Sequence, residues 1–212
     1  MEAEKKRVLV RNVPFISQLE QYPTGCESVS AVMALNRAGI PVTVDEFIDR
    51  CLPMAPAPRR GEDGVLHGPD PAEAFPGDPR TKGGWGCFVP AVVDAVSRLN
   101  RPELVVQPLV GESLERLCRW LDRDIPLLLW ATIHMAPPHE FARWTADNGR
   151  EIVWISPMHC LVLVGYDEDG FYFNDPIDGE GVFFPRLQVE TAYEAQGRQA
   201  LALYRKEELS LT

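Results

Sequence analysis

The sequence predicts an α+β domain, and three observations predict it. Helical periodicity dominates about the first 125 residues, apolar strand-like runs take over from residue 126, and those runs are joined by short hairpin turns. A helical lobe followed by a run of hairpins packs most simply as helices against an antiparallel sheet. The 212 residues fit one domain, 1–212, with a helical lobe over about 1–125 and a sheet lobe over about 126–212.

The helical signals come first. Residues 25–38 read as a helix stopped by Gly39 and Pro41. In "TVDEFIDRC", Thr43 and Glu46 are spaced as a capping box. "VPAVVDAVSRL" and "ESLERLCRWLDR" are two further amphipathic helices. Between these elements, residues 53–86 are dense in proline and glycine and cannot be regular throughout. Leu66, Phe75 and Trp85 are the apolar anchors that would pin this loop to the body.

The strand signals follow. "PLLLWATIH" reads as a buried strand, and "FARWTADNGREIVWI" as a hairpin turning at Asn148-Gly149. "HCLVLVGY" and "FYFNDP" form a second hairpin across Asp-Glu-Asp-Gly, and "GVFFP" and "QALALYR" complete about six strands.

Composition removes several function classes. The chain is 45% hydrophobic and 25% charged, as globular domains are. Its formal charge of -10 and pI near 4.9 repel phosphate backbones, so nucleic acid and anionic membranes are poor partners. No apolar run is long enough to span a bilayer. The N-terminus "MEAEKKRVLV" lacks an apolar signal core, which points to a cytoplasmic protein or to one whose export signal has been removed. The cysteines Cys26, Cys51, Cys87, Cys118 and Cys160 are odd in number, widely spaced and without a C-x-x-C pair. They read as free thiols rather than a disulfide framework or zinc site, with Cys51, Cys118 and Cys160 as core residues.

Cys26 is the exception. In "YPTGCESVSAVMALN" it opens a helix, where unpaired N–H groups and the positive end of the helix dipole stabilise a thiolate. A nucleophilic cysteine also needs a base, and the base needs an orienting acceptor. Of the four histidines, only His159 opens a strongly apolar strand; His67, His134 and His139 fall in loops, where the last two are solvated or line a cleft.

Asp175 ends the strand facing His159, and Pro176 stops the ladder there. With a regular four-residue loop Asp175 would oppose Val162, and its side chain would lie on the opposite face from His159. A three- or five-residue loop, or a bulge near residues 166–170, puts both on one face; with five residues Asp175 falls opposite Leu161. A Cys26–His159–Asp175 triad therefore requires an odd loop or a bulge. Asn174 is the other candidate orienting residue, but as the neighbour of Asp175 it should face away.

An oxyanion hole needs two donors. The Cys26 N–H is one, and Gln18 or Gln21 supplies the second; Gln18 is preferred because "VPFISQ" reads as a tied-down extended segment. Glu27 reads as a helix starter that satisfies the dipole. Trp85, Trp144 and Trp154 are candidates for the wall of a groove, Trp85 sitting among glycines that permit close backbone approach.

Taken together, "VPFISQ...YPTGCESVSAVMALN" and "HCLVLVGYDEDGFYFNDP" resemble the papain-like cysteine peptidases of the bacteriocin-processing (double-glycine leader) type, in particular their stand-alone relatives. The Cys, His, Asp order, the Gln ahead of Cys26 and the strand–turn–strand ending in Asp-Pro carry the resemblance, which runs from about residue 13 to 180. It implies a papain-like fold with Cys26 as nucleophile, His159 as general base and acid, Asp175 as orienting residue and Gln18 as oxyanion donor. It also implies a peptide or protein substrate and no cofactor or metal. The sequence departs from the better-known members around the cysteine, where Gly25 precedes and Glu27 follows. The Gln18–Cys26 interval is longer than papain-like sites lead one to expect, which keeps Gln21 in play; the 212 residues include no transporter, so cleavage after a double-glycine leader is not expected to carry over. The leading function is a cysteine-dependent amide-bond hydrolase; the alternatives are a thiol acyltransferase and a catalytically inactive peptide-binding module of the same fold.

Overall fold

A computed structural model describes residues 7–62 and 64–210, the last two as backbone only; residues 1–6, which begin the charged N-terminus, lie outside it. In chain order the first half contains β1 (Val8–Leu9), α1 (Cys26–Arg37), α2 (Val44–Arg50), β2 (Met54–Ala55), β3 (Arg59–Arg60), β4 (Leu66–Gly68), β5 (Phe75–Pro76), α3 (Val89–Ser97), β6 (Leu104–Pro108) and α4 (Leu114–Leu121). The second half contains β7 (Leu127–Thr132), β8 (His139–Ala146), β9 (Glu151–Ser156), β10 (Met158–Tyr166), β11 (Gly170–Asp175), β12 (Gly179–Pro185), α5 (Arg186–Ala195) and β13 (Ala200–Arg205).

The main sheet is antiparallel, in the order β12-β11-β10-β7-β13-β6, with β1 also paired to β10. β7 is buried at every position, the signature of a strand covered on both faces. α1 packs against β10, β7 and β13, while α5 packs against β7, β11 and β12. The fold is α+β, but the two lobes interpenetrate: β1 and β6 come from the first 125 residues and α5 from the remainder. α5 was not anticipated. It is seeded after Pro185 and buries Val189, Ala192 and Tyr193, a helical spacing lodged between two strand runs.

α1 is buried from Cys26 to Leu35. Its small residues let it lie close to the sheet, and Ser30 Oγ donates to the Cys160 carbonyl at 3.1 Å. The helix ends at Gly39, whose φ of +72° suits glycine. The Thr43–Glu46 capping box is formed in both directions.

The loop over 53–86 is irregular with short strands and is fastened to the body. β4 pairs in parallel with β8, making a small sheet β3-β4-β8-β9 whose hairpin turns at Asn148-Gly149. Phe75 is fully buried, whereas Leu66 and Trp85 are half-buried against the core. Asp70, buried in the loop, accepts from Arg150 Nη1 at 2.8 Å and Asn148 Nδ2 at 3.0 Å. Indole N–H groups tie down carbonyls within the segment and just after it, Trp144 to Pro69 at 3.0 Å and Trp130 to Cys87 at 2.8 Å. His139, expected in a loop, begins β8 instead, exposed and opposite Ser156.

Candidate active site

The register of the β10–β11 hairpin decides where Asp175 points. Tyr166 faces Phe171 across the turn, Gly165 faces Tyr172, and Leu163 faces Phe173. Val164 is therefore an extra residue, a bulge within β10 rather than in the loop over 166–170. Past it Val162 faces Asn174, so Asp175 falls opposite Leu161 and shares a face with His159. His159 Nε2 and Asp175 Oδ1 are 2.7 Å apart, and each side chain is 1% exposed.

Asp175 also accepts from the Ile177 N–H at 2.9 Å. Burial works to raise its pKa, but the hydrogen bond and charge of His159 and the N–H groups of Ile177 and Asp178 outweigh it, and the carboxyl lies below its ordinary range. An ionised Asp175 can only accept, so Nε2 carries the proton and Nδ1 is the basic nitrogen of His159. Asn174 faces the other way, donating to the Val13 carbonyl at 3.2 Å and accepting from the Gly181 N–H at 3.1 Å.

The segment carrying Gln18 is stitched to the same strand end. The Gln18 N–H donates to the Pro176 carbonyl at 3.0 Å, and Ser17 Oγ reaches that oxygen at 3.4 Å. Gln18 is 3% exposed; its Nε2 donates to the Pro23 carbonyl at 3.3 Å, in the turn that leads into α1. Its Oε1 has no hydrogen-bond partner among the described residues. Gln21 is exposed.

Cys26 is the first residue of α1, after Gly25, which offers no side-chain cap. Its thiol is not poised as a helix-terminal position alone would leave it. Sγ donates to Glu27 Oε2 at 3.3 Å, and no hydrogen bond joins it to His159 among the described residues. Burial, then the charges of Glu27 and Cys160, push the thiol well above the ordinary cysteine range, opposed by the Cys160 backbone N–H. Burial and the charge of Glu27 likewise raise Cys87 and Cys160.

Glu27 stands in the first turn of α1, as the sequence indicates, but it does more than start a helix: it is 0% exposed, and its Oε1 accepts from the Cys87 N–H at 2.7 Å. Burial raises its pKa to about 7, against hydrogen bonds from its own backbone N–H, the Cys87 N–H and Cys26. The signal was present: "CESVSAVMALN" has no polar face, so the helix is buried all round and carries its first-turn charge inside with it.

Beside this carboxylate stands an aromatic wall. Trp85 meets Trp144, Trp154 and Phe141 with ring centroids 5.4, 5.6 and 5.9 Å apart, and Phe88 stacks on Trp154 at 5.8 Å. A Cβ on Gly86 would meet Met158, the neighbour of His159, and would lie 2.6 Å from Glu27 Oε1 and 3.4 Å from Trp154. The wall thus adjoins the Cys26–Glu27 pair. His134 lies elsewhere, 60% exposed and 3.0 Å from Asp178 Oδ1. Among the described residues no group of three or more His, Cys, Asp or Glu could hold a metal, and no helix is long and apolar enough to cross a membrane.

The antiparallel sheet, the buried helix opening on a cysteine and the strand-borne histidine make this a papain-like peptidase fold. The model of the Peptidase_C39-like family matches residues 10–201, and the chain belongs to that family. It is 27% identical to YvpB of Bacillus subtilis (strain 168), described as uncharacterized, over 179 residues, 84% of this chain and 68% of that one. The crystal structure of a Bacillus anthracis protein proposed to be a C39-like peptidase superposes with a TM-score of 0.82 at 30% identity, covering 95% of this chain and 98% of that chain.

Proposed function

We propose that this protein is a cysteine-dependent hydrolase of amide bonds in peptides or proteins. The observation that carries the reading is the buried His159–Asp175 pair on a strand packed against the helix that opens with Cys26. In this reading His159 Nδ1 takes the thiol proton as Sγ bonds to the substrate carbonyl carbon. The Cys26 N–H and Gln18 stabilise the oxyanion. As the C–N bond breaks, His159 returns the proton to the leaving amine; it then takes a proton from water, whose oxygen displaces Sγ and releases the acid. Asp175 holds the imidazole in the required tautomer throughout. No step calls for a cofactor.

The elevated thiol pKa favours a second reading, a peptide-binding module that keeps the fold without turnover. One experiment separates the two: digestion of a defined peptide pool, followed by mass spectrometry. Hydrolysis predicts new termini with wild type and a loss of at least about 10³-fold in Cys26→Ala. Equal product from both proteins, or no product from either while the pool still binds, would reject hydrolysis by Cys26.

A further inference from the structure

We infer that Glu27 positions Cys26 and sets the pH at which its sulfur becomes a nucleophile: the carboxylate holds the proton on sulfur, and the carboxylic acid releases that hold. The inference rests on reading Cys26 as the nucleophile. Its warrant is the geometry around one buried carboxylate. One oxygen is fixed by the Cys87 N–H at 2.7 Å, and the Cys87 carbonyl is itself fixed by Trp130. The other oxygen is thereby aimed at Cys26 Sγ, 3.3 Å away. Gly86 leaves room for this arrangement, since any side chain there would collide with Glu27 and Met158. A carboxylate this constrained does not swing aside to relieve a neighbouring thiolate.

The ionisable groups facing Glu27 are Cys26 on α1, Cys87 on the segment leading into α3, and Cys160 on β10. All three are acids, and no ion pair stabilises the Glu27 charge among the described residues. The pair of Cys26 and Glu27 therefore loses its two protons in two coupled steps. The first proton leaves Glu27, near its value of about 7, because burial already holds the thiol well above the ordinary cysteine range. The second must leave sulfur beside a carboxylate that is already charged, and that step is deferred to much higher pH.

The sign follows. As pH rises through about 7 Glu27 ionises and tightens its hold on the sulfur proton, so the thiolate forms only at higher pH. Glutamine in its place keeps an acceptor oxygen for the Cys87 N–H but presents an N–H donor to sulfur and cannot ionise. That variant should favour the thiolate.

The test is the pH dependence of iodoacetamide alkylation at Cys26, mapped by mass spectrometry between about pH 5 and 10, for wild type and Glu27→Gln. Wild type should react slowly through about pH 8 and rise only above the ordinary thiol midpoint of about 8.5; Glu27→Gln should rise at least about one pH unit lower and react at least about tenfold faster at about pH 8. Buried Cys87 and Cys160 should stay unlabelled in both proteins, which reports an intact fold. If they label in the variant, the variant has opened and the wild-type profile alone decides: a midpoint at or below the ordinary thiol value of about 8.5 overturns the inference. Identical profiles for wild type and a folded Glu27→Gln overturn it as well. Turnover surviving in Cys26→Ala would remove the hydrolase reading and leave the alkylation result standing. Turnover lost in Cys26→Ala with a wild-type alkylation midpoint at or below about 8.5 would remove the Glu27 inference alone.

Discussion

His159 Nε2 lies 2.7 Å from Asp175 Oδ1, inside the protein, because β10 carries one residue more than its partner. Val164 is that residue. Without it Asp175 would fall opposite Val162 and point to the far side of the sheet, since side chains alternate along a strand. Pro176 then serves two purposes: it ends the ladder, and its carbonyl receives the N–H of Gln18, which brings the N-terminal segment to the same place.

Asp175→Asn should keep the fold and lower turnover by roughly 10² to 10⁴, because an amide can present its N–H to Nε2 and force the wrong tautomer. The variant should also be less sensitive to acid. The native carboxyl lies below its ordinary value of 3.8, so its stabilising effect is complete above that value and is lost as pH falls through the lower folded one. Kinetics at neutral pH and acid unfolding curves of both proteins check the two statements.

Gln18→Ala should reduce kcat by roughly 10² to 10³ with little change in KM, as loss of one oxyanion donor does. Gln21→Ala should leave both constants close to wild type, because that side chain is exposed. Comparable losses in the two variants would remove Gln18 from the site.

Glu27 leaves a mark on stability that is independent of chemistry. Its folded pKa of about 7 exceeds its ordinary 4.5, so the folded state binds the extra proton between those values. Stability from this group is therefore fully present below about 4.5 and is lost as pH rises to about 7, by about 3 kcal/mol in all. Denaturant titrations at several pH values should show this decline in wild type and not in Glu27→Gln, which should be the more stable protein at about pH 8.

Asp70→Ala should free the loop over 53–86 from the β8–β9 hairpin. It removes the acceptor of hydrogen bonds from the exposed Asn148 and Arg150 side chains and from the Ala72 N–H, at a cost of about 1 kcal/mol. Limited proteolysis should cut within 53–86 before unfolding is detectable, and a digestion pattern matching wild type would show that the other anchors suffice.

Most of the scaffold could be read from local chemistry. The capping box of α2, the stop at Gly39, the Asn148-Gly149 turn and the buried run of β7 each announce themselves within a few residues. The misses are non-local. Nothing in "HCLVLVGY" marks Val164 as a bulge; only the need to put His159 and Asp175 on one face requires an irregularity, and its place is set by pairing with β11. α5 carries helical spacing but stands between strands, and β6 joins the sheet only because β13 returns to it. At the site, residue type and order mark Cys26, His159, Asp175 and Gln18 as candidates. The environment of the thiol was hidden, because a helix terminus favours thiolate only while burial and a facing carboxylate do not outweigh it.

The most direct test of the central claim, that His159 activates Cys26, is the alkylation rate of each cysteine at about pH 9 in wild type and His159→Ala. The account predicts that Cys26 labels ahead of Cys51, Cys87, Cys118 and Cys160 in wild type, and that His159→Ala slows it at least about tenfold while the other four are unchanged. Cys26 labelling no faster than the others, or at the same rate in both proteins, would contradict the account.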